Sequence, residues 1–244
     1  MHIPNKLHIN CDMAESYGHF RIGDDESILP FIDAANIACG FHGGDPLTII
    51  DTVKLAIHLG KSIGAHPSFP DLVGFGRRYM EMSEKELFAT IVYQICAVKS
   101  IVEIFGGALF HVKPHGALYN ASLKDDKIAN VIIDALVLVD PNLVLFAPFN
   151  SVILKRAQLA GVKVKKEAFA DRRYMTDGTL APRHLSGAVI DSPEEILQQC
   201  KNILSGKAET WDKNYIDIES DTICLHGDHP CILQNLSILR SNFT

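Results

Sequence analysis

The sequence lacks the features that mark several broad classes of protein. Its six cysteines (Cys11, Cys39, Cys96, Cys200, Cys224 and Cys231) form no Cys-x-x-Cys pair. That argues against a zinc site or a disulfide framework, and for buried thiols in a reducing, cytoplasmic compartment. Basic charge is not in excess: 23 Lys and Arg stand against 29 Asp and Glu, a net charge of −6. A mildly acidic chain has no electrostatic footprint for nucleic acid. The first residues, Met1-His-Ile-Pro-Asn-Lys6, lack the apolar run of a signal peptide. The most apolar stretch, Val131–Phe149, is broken by Asp134 and by Asp140-Pro141. It reads as helix, turn and strand rather than a membrane span. There is no linker and no shift in composition, and 47% of the residues are hydrophobic. Residues 1–244 are therefore expected to form one catalytic domain with a sizeable core.

What is present is a repeating pattern. Short apolar runs end in polar residues, and most lead into a helical pattern. The runs are Leu7–Met13, Ala34–Cys39, Ser62–Ala65, Leu109–Pro114, Leu143–Ala147, Val162–Ala168 and Thr222–Leu225, with Gly187–Ile190 a shorter candidate. Helix starts lie between them. Asp45-Pro46 pairs an N-cap with a proline at the first helical position. Ser83–Glu86 and Ser192–Glu195 have capping-box spacing. Leu87, Ile91, Ile95, Val98 and Val102 recur at helical spacing. Alternating strands and helices predict parallel βαβ units, about seven of them. A closed β/α barrel is the expectation, with a doubly wound open sheet as the alternative.

The chemistry gathers where the strands end. Strand alternation puts His8, Asn10 and Asp12 on one face and Leu7, Ile9 and Cys11 on the other. His111, Lys113 and His115 share a face, as do His226 and Asp228. In a closed barrel these faces point inward near the C-terminal mouth, where separate strand ends aim at one point. Asp12 and Glu15 offer two carboxylates for acid–base work or metal binding, or simply a cap. His42 sits in the glycine-rich Cys39–Asp45 loop ahead of a helix, which suits an anion or merely a tight turn capped by Asp45. That loop lacks a Gly-Lys-Ser/Thr ending. His66-Pro67 closes the third strand, and the Asp71–Arg78 loop could deliver Arg77 to a phosphate or carboxylate. An inward Lys113 between two histidines reads as a substrate or phosphate site, with a buried structural ion pair as the alternative. Glu167, Asp171 and Arg172 end the sixth run, where Arg172 could fork onto a carboxylate unless the group is a surface ion-pair cluster.

Seven stretches in this order resemble the LamB/YcsF family of 5-oxoprolinase A subunits. They are Asn10-Cys-Asp-Met-Ala-Glu-Ser16, Ala35-Asn-Ile-Ala-Cys-Gly-Phe-His42, Gly64-Ala-His-Pro-Ser68, Gly74-Phe-Gly-Arg77, Val112-Lys-Pro-His-Gly-Ala-Leu-Tyr119, Phe169-Ala-Asp-Arg172 and Cys224-Leu-His-Gly-Asp228. The chain departs from the family pattern at Ala14, where a glycine is usual, and at Gly43. Alanine restricts the loop backbone at a place where glycine would not.

The resemblance implies a distorted (β/α) barrel of the polysaccharide-deacetylase kind. It also implies ATP-dependent opening of 5-oxo-L-proline to L-glutamate, performed with partner subunits B and C and without nucleic acid or membrane. The catalytic candidates are then Asp12, Glu15, His66, Lys113, His115, Glu167 and His226. Substrate or phosphate would fall to His42, Arg77, Tyr119, Asp171, Arg172 and Asp228. ATP is the implied co-substrate, and a divalent metal would have Asp12, His42 and His66 as candidate ligands. Two other readings compete: a metal-dependent amide or ester hydrolase, and a non-catalytic binding subunit.

Overall fold

The computed structural model describes residues 7–243. Nine strands follow in chain order among these residues: β1 (Ile9–Met13), β2 (Ala34–Ala38), β3 (Ser62–His66), β4 (Leu109–Val112), β5 (Val144–Pro148), β6 (Val164–Phe169), β7 (Lys207–Glu209), β8 (Tyr215–Asp217) and β9 (Thr222–Leu225). The helices are α1 (Asp25–Ile28), α2 (Pro46–His58), α3 (Glu84–Ile104), α4 (Gly116–Ser122), α5 (Asp126–Val139), α6 (Val152–Leu159), α7 (Pro193–Leu204) and α8 (Ile232–Asn242). β1 to β6 and β9 form a closed, all-parallel barrel, with β9 paired to β6 on one side and to β1 on the other. Closure by β9 excludes the open doubly wound sheet.

Local chemistry starts the helices where the sequence places them. Asp45 accepts a hydrogen bond from the Thr48 amide at 2.9 Å, with Pro46 opening α2. Ser83 and Glu86 cap α3 reciprocally. The second expected box is only half made. Ser192 accepts from the Glu195 amide, but the Glu195 side chain pairs with Arg173 instead. The Gly187–Ile190 run forms no strand; Val189 makes a single bridge to Arg172. The β7–β8 hairpin lies outside the barrel, and its strands are too short and charged to show as apolar runs.

Outward-facing Ile9, Cys11, Met13, Ile37, Ile63 and Val112 join the helices' apolar stripes in one core. Each fully buried aliphatic side chain contributes roughly 1.5–3 kcal/mol. α3 is long and apolar enough by length and composition to cross a membrane. Its Leu87, Ile91, Ile95, Val98 and Val102 stripe, however, is buried in this core against the sheet.

The barrel interior carries a polar layer beside a small apolar cluster of Ala34, Val144 and Phe146. Asn36 donates to Asn10 Oδ1 and to Asp12 Oδ1, both at 2.8 Å. Asn10 donates to Thr222 Oγ1 at 2.9 Å. His111 Nε2 lies 2.7 Å from Asn36 Oδ1, and its ring stacks on Phe146. This layer needs Gly64, since a Cβ there would lie 2.2 Å from the His111 ring. The layer forms the floor on which the strand-end groups stand.

Candidate functional site

Lys113, one residue past β4, is the centre of the mouth. Its side chain is 2% exposed, with Nζ 2.8 Å from Asp12 Oδ1, 3.0 Å from Glu167 Oε1 and 3.0 Å from Cys224 Sγ. Burial opposes its charge, but Asp12, Cys224 and Glu167 outweigh that and hold the ammonium well above its ordinary pKa. Burial likewise opposes the Asp12 charge, but His66 and Lys113 pull its carboxyl well below the usual range. Tyr119 donates to Glu167 Oε2 at 2.8 Å. The ion-pair reading of Lys113 therefore describes what the fold does with it, although the side chain also lines a cavity.

Beside this centre, on the first half of the chain, stands a histidine cluster. His66 Nδ1 is 2.6 Å from the Lys113 carbonyl, and His115 Nε2 is 2.9 Å from the Phe75 carbonyl. A carbonyl only accepts, so each of these nitrogens carries the ring proton. The remaining atoms, His66 Nε2 and His115 Nδ1, face each other at 2.9 Å, and His66 Nε2 also lies 3.3 Å from Asp12 Oδ2. Burial, followed by the neighbouring His42, keeps His115 neutral. One proton shared between the two facing nitrogens, or a metal cation, satisfies both of them. His42 stacks on His115 at 3.8 Å, and its Nε2 is 3.2 Å from Glu15 Oε1, while its Nδ1 is buried without a hydrogen-bond partner. Burial, then Asp12, pushes the Glu15 carboxyl well up. Donor atoms of Glu15, His42, His66 and His115 all lie within 4.8 Å of one another. Backbone carbonyls that fix ring tautomers are the usual support of histidine ligands. The donor set thus suits a divalent cation, with Glu15 and His115 joining the expected His42 and His66. Gly76 permits the packing, because a Cβ there would meet His115 at 2.7 Å and His42 at 2.9 Å.

The second half of the chain supplies the opposite wall. Asp171 accepts from His226 Nδ1 at 2.8 Å and from the His226 amide at 3.1 Å. Burial raises the Asp171 pKa, but His226 overrides it and leaves a firmly ionised carboxylate. Arg77 reaches Asp228 at 2.6 Å, while Asp71 holds the loop by binding Arg78 and the Gly74 amide.

Two hollows meet at Arg77. One, of about 490 Å³, is lined by Asp12, His66, Arg77, Lys113, His115, Tyr119, Arg172 and His226. The other, of about 670 Å³, is lined by Glu15, His42, Arg77 and Asp228 with Tyr17, Phe20 and Val73. Glu167 and Asp171 are buried beside Tyr119 and His226 and orient them. Sequence reasoning missed Cys224, which it treated as an ordinary buried thiol, and Arg183, which lines the first hollow. Strand alternation could have found Cys224, two residues before His226; Arg183 lies in an irregular segment with no periodic signal.

The LamB/YcsF family model matches residues 7–244. A Heliobacterium modesticaldum protein, named as the A subunit of 5-oxoprolinase, is 47% identical over 226 residues, covering 92% of this chain and 89% of that one. An Acinetobacter baumannii protein of the same name is 48% identical over 234 residues, covering 96% and 92%. A crystal structure of the lactam utilization protein from Thermus thermophilus superposes with a TM-score of 0.89 at 42% identity, covering 97% and 96%.

Proposed function

The chain belongs to the LamB/YcsF family, and from that premise we propose that it is the A subunit of an ATP-dependent 5-oxoprolinase, opening 5-oxo-L-proline to L-glutamate with partner subunits B and C. The carrying observation is that Asp12, His66, Lys113, His115 and His226, from four different strand ends, open onto one cavity at the barrel mouth.

A five-membered lactam resists water because its nitrogen lone pair is delocalised into the carbonyl. Transfer of the γ-phosphoryl group of ATP to the lactam oxygen, with ADP leaving, gives an activated imidate. Water adds to the ring carbon, and the C–N bond breaks as the nitrogen takes a proton. A second water converts the resulting acyl phosphate to carboxylate and phosphate. This chemistry needs a proton acceptor, a proton donor and cations for the anionic groups. The Asp12–His66 pair accepts the proton from water. His226, oriented by Asp171 through Nδ1, donates to the departing nitrogen. Lys113, Arg77 and Arg172 offset negative charge, and Tyr119–Glu167 fixes the Lys113 wall.

The test is glutamate release from 5-oxo-L-proline by this chain alone, and by this chain with subunits B and C, each with and without ATP. The expected result is glutamate only when ATP and all three subunits are present. Partner subunits that release glutamate equally well without this chain would refute the proposal. Robust ATP-dependent release by this chain alone would refute the need for partners.

A second reading, a metal-dependent amide hydrolase, is favoured by the convergence of four donor atoms within 4.8 Å of one another. Glu15, His42, His66 and His115 would hold the ion, which when bound supplies Lewis-acid polarisation and acidifies water. Elemental analysis of purified protein, and loss of Co²⁺ absorbance in His115→Gln, would favour it.

A further inference from the structure

Arg172 and Arg173 are adjacent in sequence and equally buried, 6% and 5% exposed, but the fold treats them differently. Arg173 is paired with Glu195 at 2.6 Å and with Glu209. Arg172 donates one N–H to the Ala181 carbonyl, and its Nε is sealed from solvent without a hydrogen-bond partner. Among the described residues no carboxylate lies within ion-pair distance of it. Its neighbour Asp171 is already taken by His226. A buried guanidinium without a counter-ion is costly, so folds rarely keep one without a use.

The other cations of the 490 Å³ cavity are accounted for. Lys113 is matched by Asp12 and Glu167, Arg77 by Asp228, and Lys124 by Asp177. Arg172 and Arg183 remain, both lining the cavity and neither in an ion pair among the described residues. Burial, and then Arg183, pushes the Arg172 pKa down to about 10, with Asp171 opposing them only in part. Two unmatched guanidiniums complement a dianion better than a single carboxylate, and their forked donors suit tetrahedral oxyanions.

We propose that Arg172, seconded by Arg183, forms a subsite for a dianionic oxyanion of the phosphate class, carried by the substrate or released from it. The inference rests on the reading of this cavity as the substrate site and names the group bound there. Arg172 is held by the buried Ala181 carbonyl and forms part of the cavity wall. Arg183 is exposed at the rim and supplies the second charge.

The experiment titrates inorganic phosphate, and separately acetate, into the purified full chain at constant ionic strength, by calorimetry and by thermal unfolding. Phosphate should bind saturably, and Arg172→Met should weaken it by about tenfold or more, the loss of a charge-assisted hydrogen bond. Arg183→Met, at an exposed position, should weaken it by a smaller factor and provides a variant that folds regardless. Acetate should bind at least about tenfold more weakly than phosphate. Without added anion, Arg172→Met should unfold at the same or a higher temperature than the parent, whereas Arg173→Met should unfold lower. Unchanged phosphate affinity in both Arg172→Met and Arg183→Met overturns the proposal, as does acetate binding as tightly as phosphate. An Arg172→Met protein destabilised as much as Arg173→Met assigns Arg172 a structural role and overturns it too. Glutamate release by the complete three-subunit system separates the two levels. Lost turnover with phosphate binding intact refutes the lactam reading alone, and full turnover in Arg172→Met that no longer binds phosphate refutes the subsite alone.

Discussion

The two walls of the barrel mouth carry opposite chemistry. The wall built from β1 to β4 collects a carboxylate and three imidazoles whose donor atoms converge within 4.8 Å, so it suits a cation. The wall built after β6 collects Arg172 and Arg183, whose charges have no ion-pair partner among the described residues, so it seeks an anion. Between them Lys113 is compensated by one carboxylate from each side, Asp12 from β1 and Glu167 from β6. The lesson is that the count of charged residues says little about what a site binds. What matters is which charges the fold has already matched.

Removing the boundary gives the largest expected effect. Lys113→Met leaves Asp12 and Glu167 buried, close and unpaired, so stability should fall by about 3–5 kcal/mol. Activity of the complete enzyme should fall by about 10²–10⁴-fold, measured where the variant is still folded. An active Lys113→Met enzyme would mean that the two walls work independently.

Asp12→Asn probes which wall Asp12 serves. Loss of a proton acceptor should cost about 10²–10⁴-fold in turnover. Because Asp12 Oδ1 is taken by Lys113 and Asn36, Oδ2 faces His66 at 3.3 Å, and the residue lies outside the four-donor cluster, added Mg²⁺, Mn²⁺ or Zn²⁺ should not restore it. Rescue by any of these ions would move Asp12 onto the cation-seeking wall.

The third prediction concerns acid. Burial holds His42, His111 and His115 well below their ordinary value of 6.5, so the folded protein leaves them neutral while the unfolded chain protonates them. Below about pH 6.5 the unfolded state binds more protons, and stability falls as pH falls, by about 1.4 kcal/mol per pH unit for each histidine. Glu15, whose pKa is raised, opposes this with a single proton. Urea midpoints between pH 7.5 and 5.5, taken with a chelator present, should therefore drop. His42→Gln should reduce the slope by about one proton, and an unchanged slope would place that ring's charge elsewhere.

The smallest effect touches only the loop that presents Glu15. Ala14 has a left-handed φ of 59° and donates its amide to Asp25 at 2.8 Å. A Cβ is strained there, so Ala14→Gly should stabilise by about 0.5–1 kcal/mol without changing metal or phosphate binding. Destabilisation on denaturant unfolding would show that the methyl packs better than its backbone strain costs.

Much of this architecture is legible in the chain. Alternation in β1 places Asn10 and Asp12 inside, and their bonds to Asn36, Thr222 and Lys113 put them there. The α3 stripe and the caps at Asp45 and Ser83 form where their spacing predicts. The second capping box failed because Glu195 had a stronger partner in Arg173, more than twenty residues away and invisible to local spacing. The site was legible as a roster of strand-end residues but not as a set of partnerships. His42 and Glu15 turned from the Lys113 cavity into the second hollow, and Glu15 and His115 joined His42 and His66 in one donor cluster.

The sequence by itself determined the seven barrel strands, their inward and outward faces, and the end of each strand where chemistry could gather. These follow from the periods of strand and helix and from capping bonds spanning three or four residues. Tertiary structure decided that β9 closes the barrel, that His66 Nε2 meets His115 Nδ1, and that Arg173 is matched while Arg172 is not. Each of these depends on groups distant in sequence competing for the same few ångströms. Coulombic and hydrogen-bond energies fall off with spatial separation, so two adjacent arginines become chemically distinct only when the folded chain brings the glutamates to one and leaves the other alone.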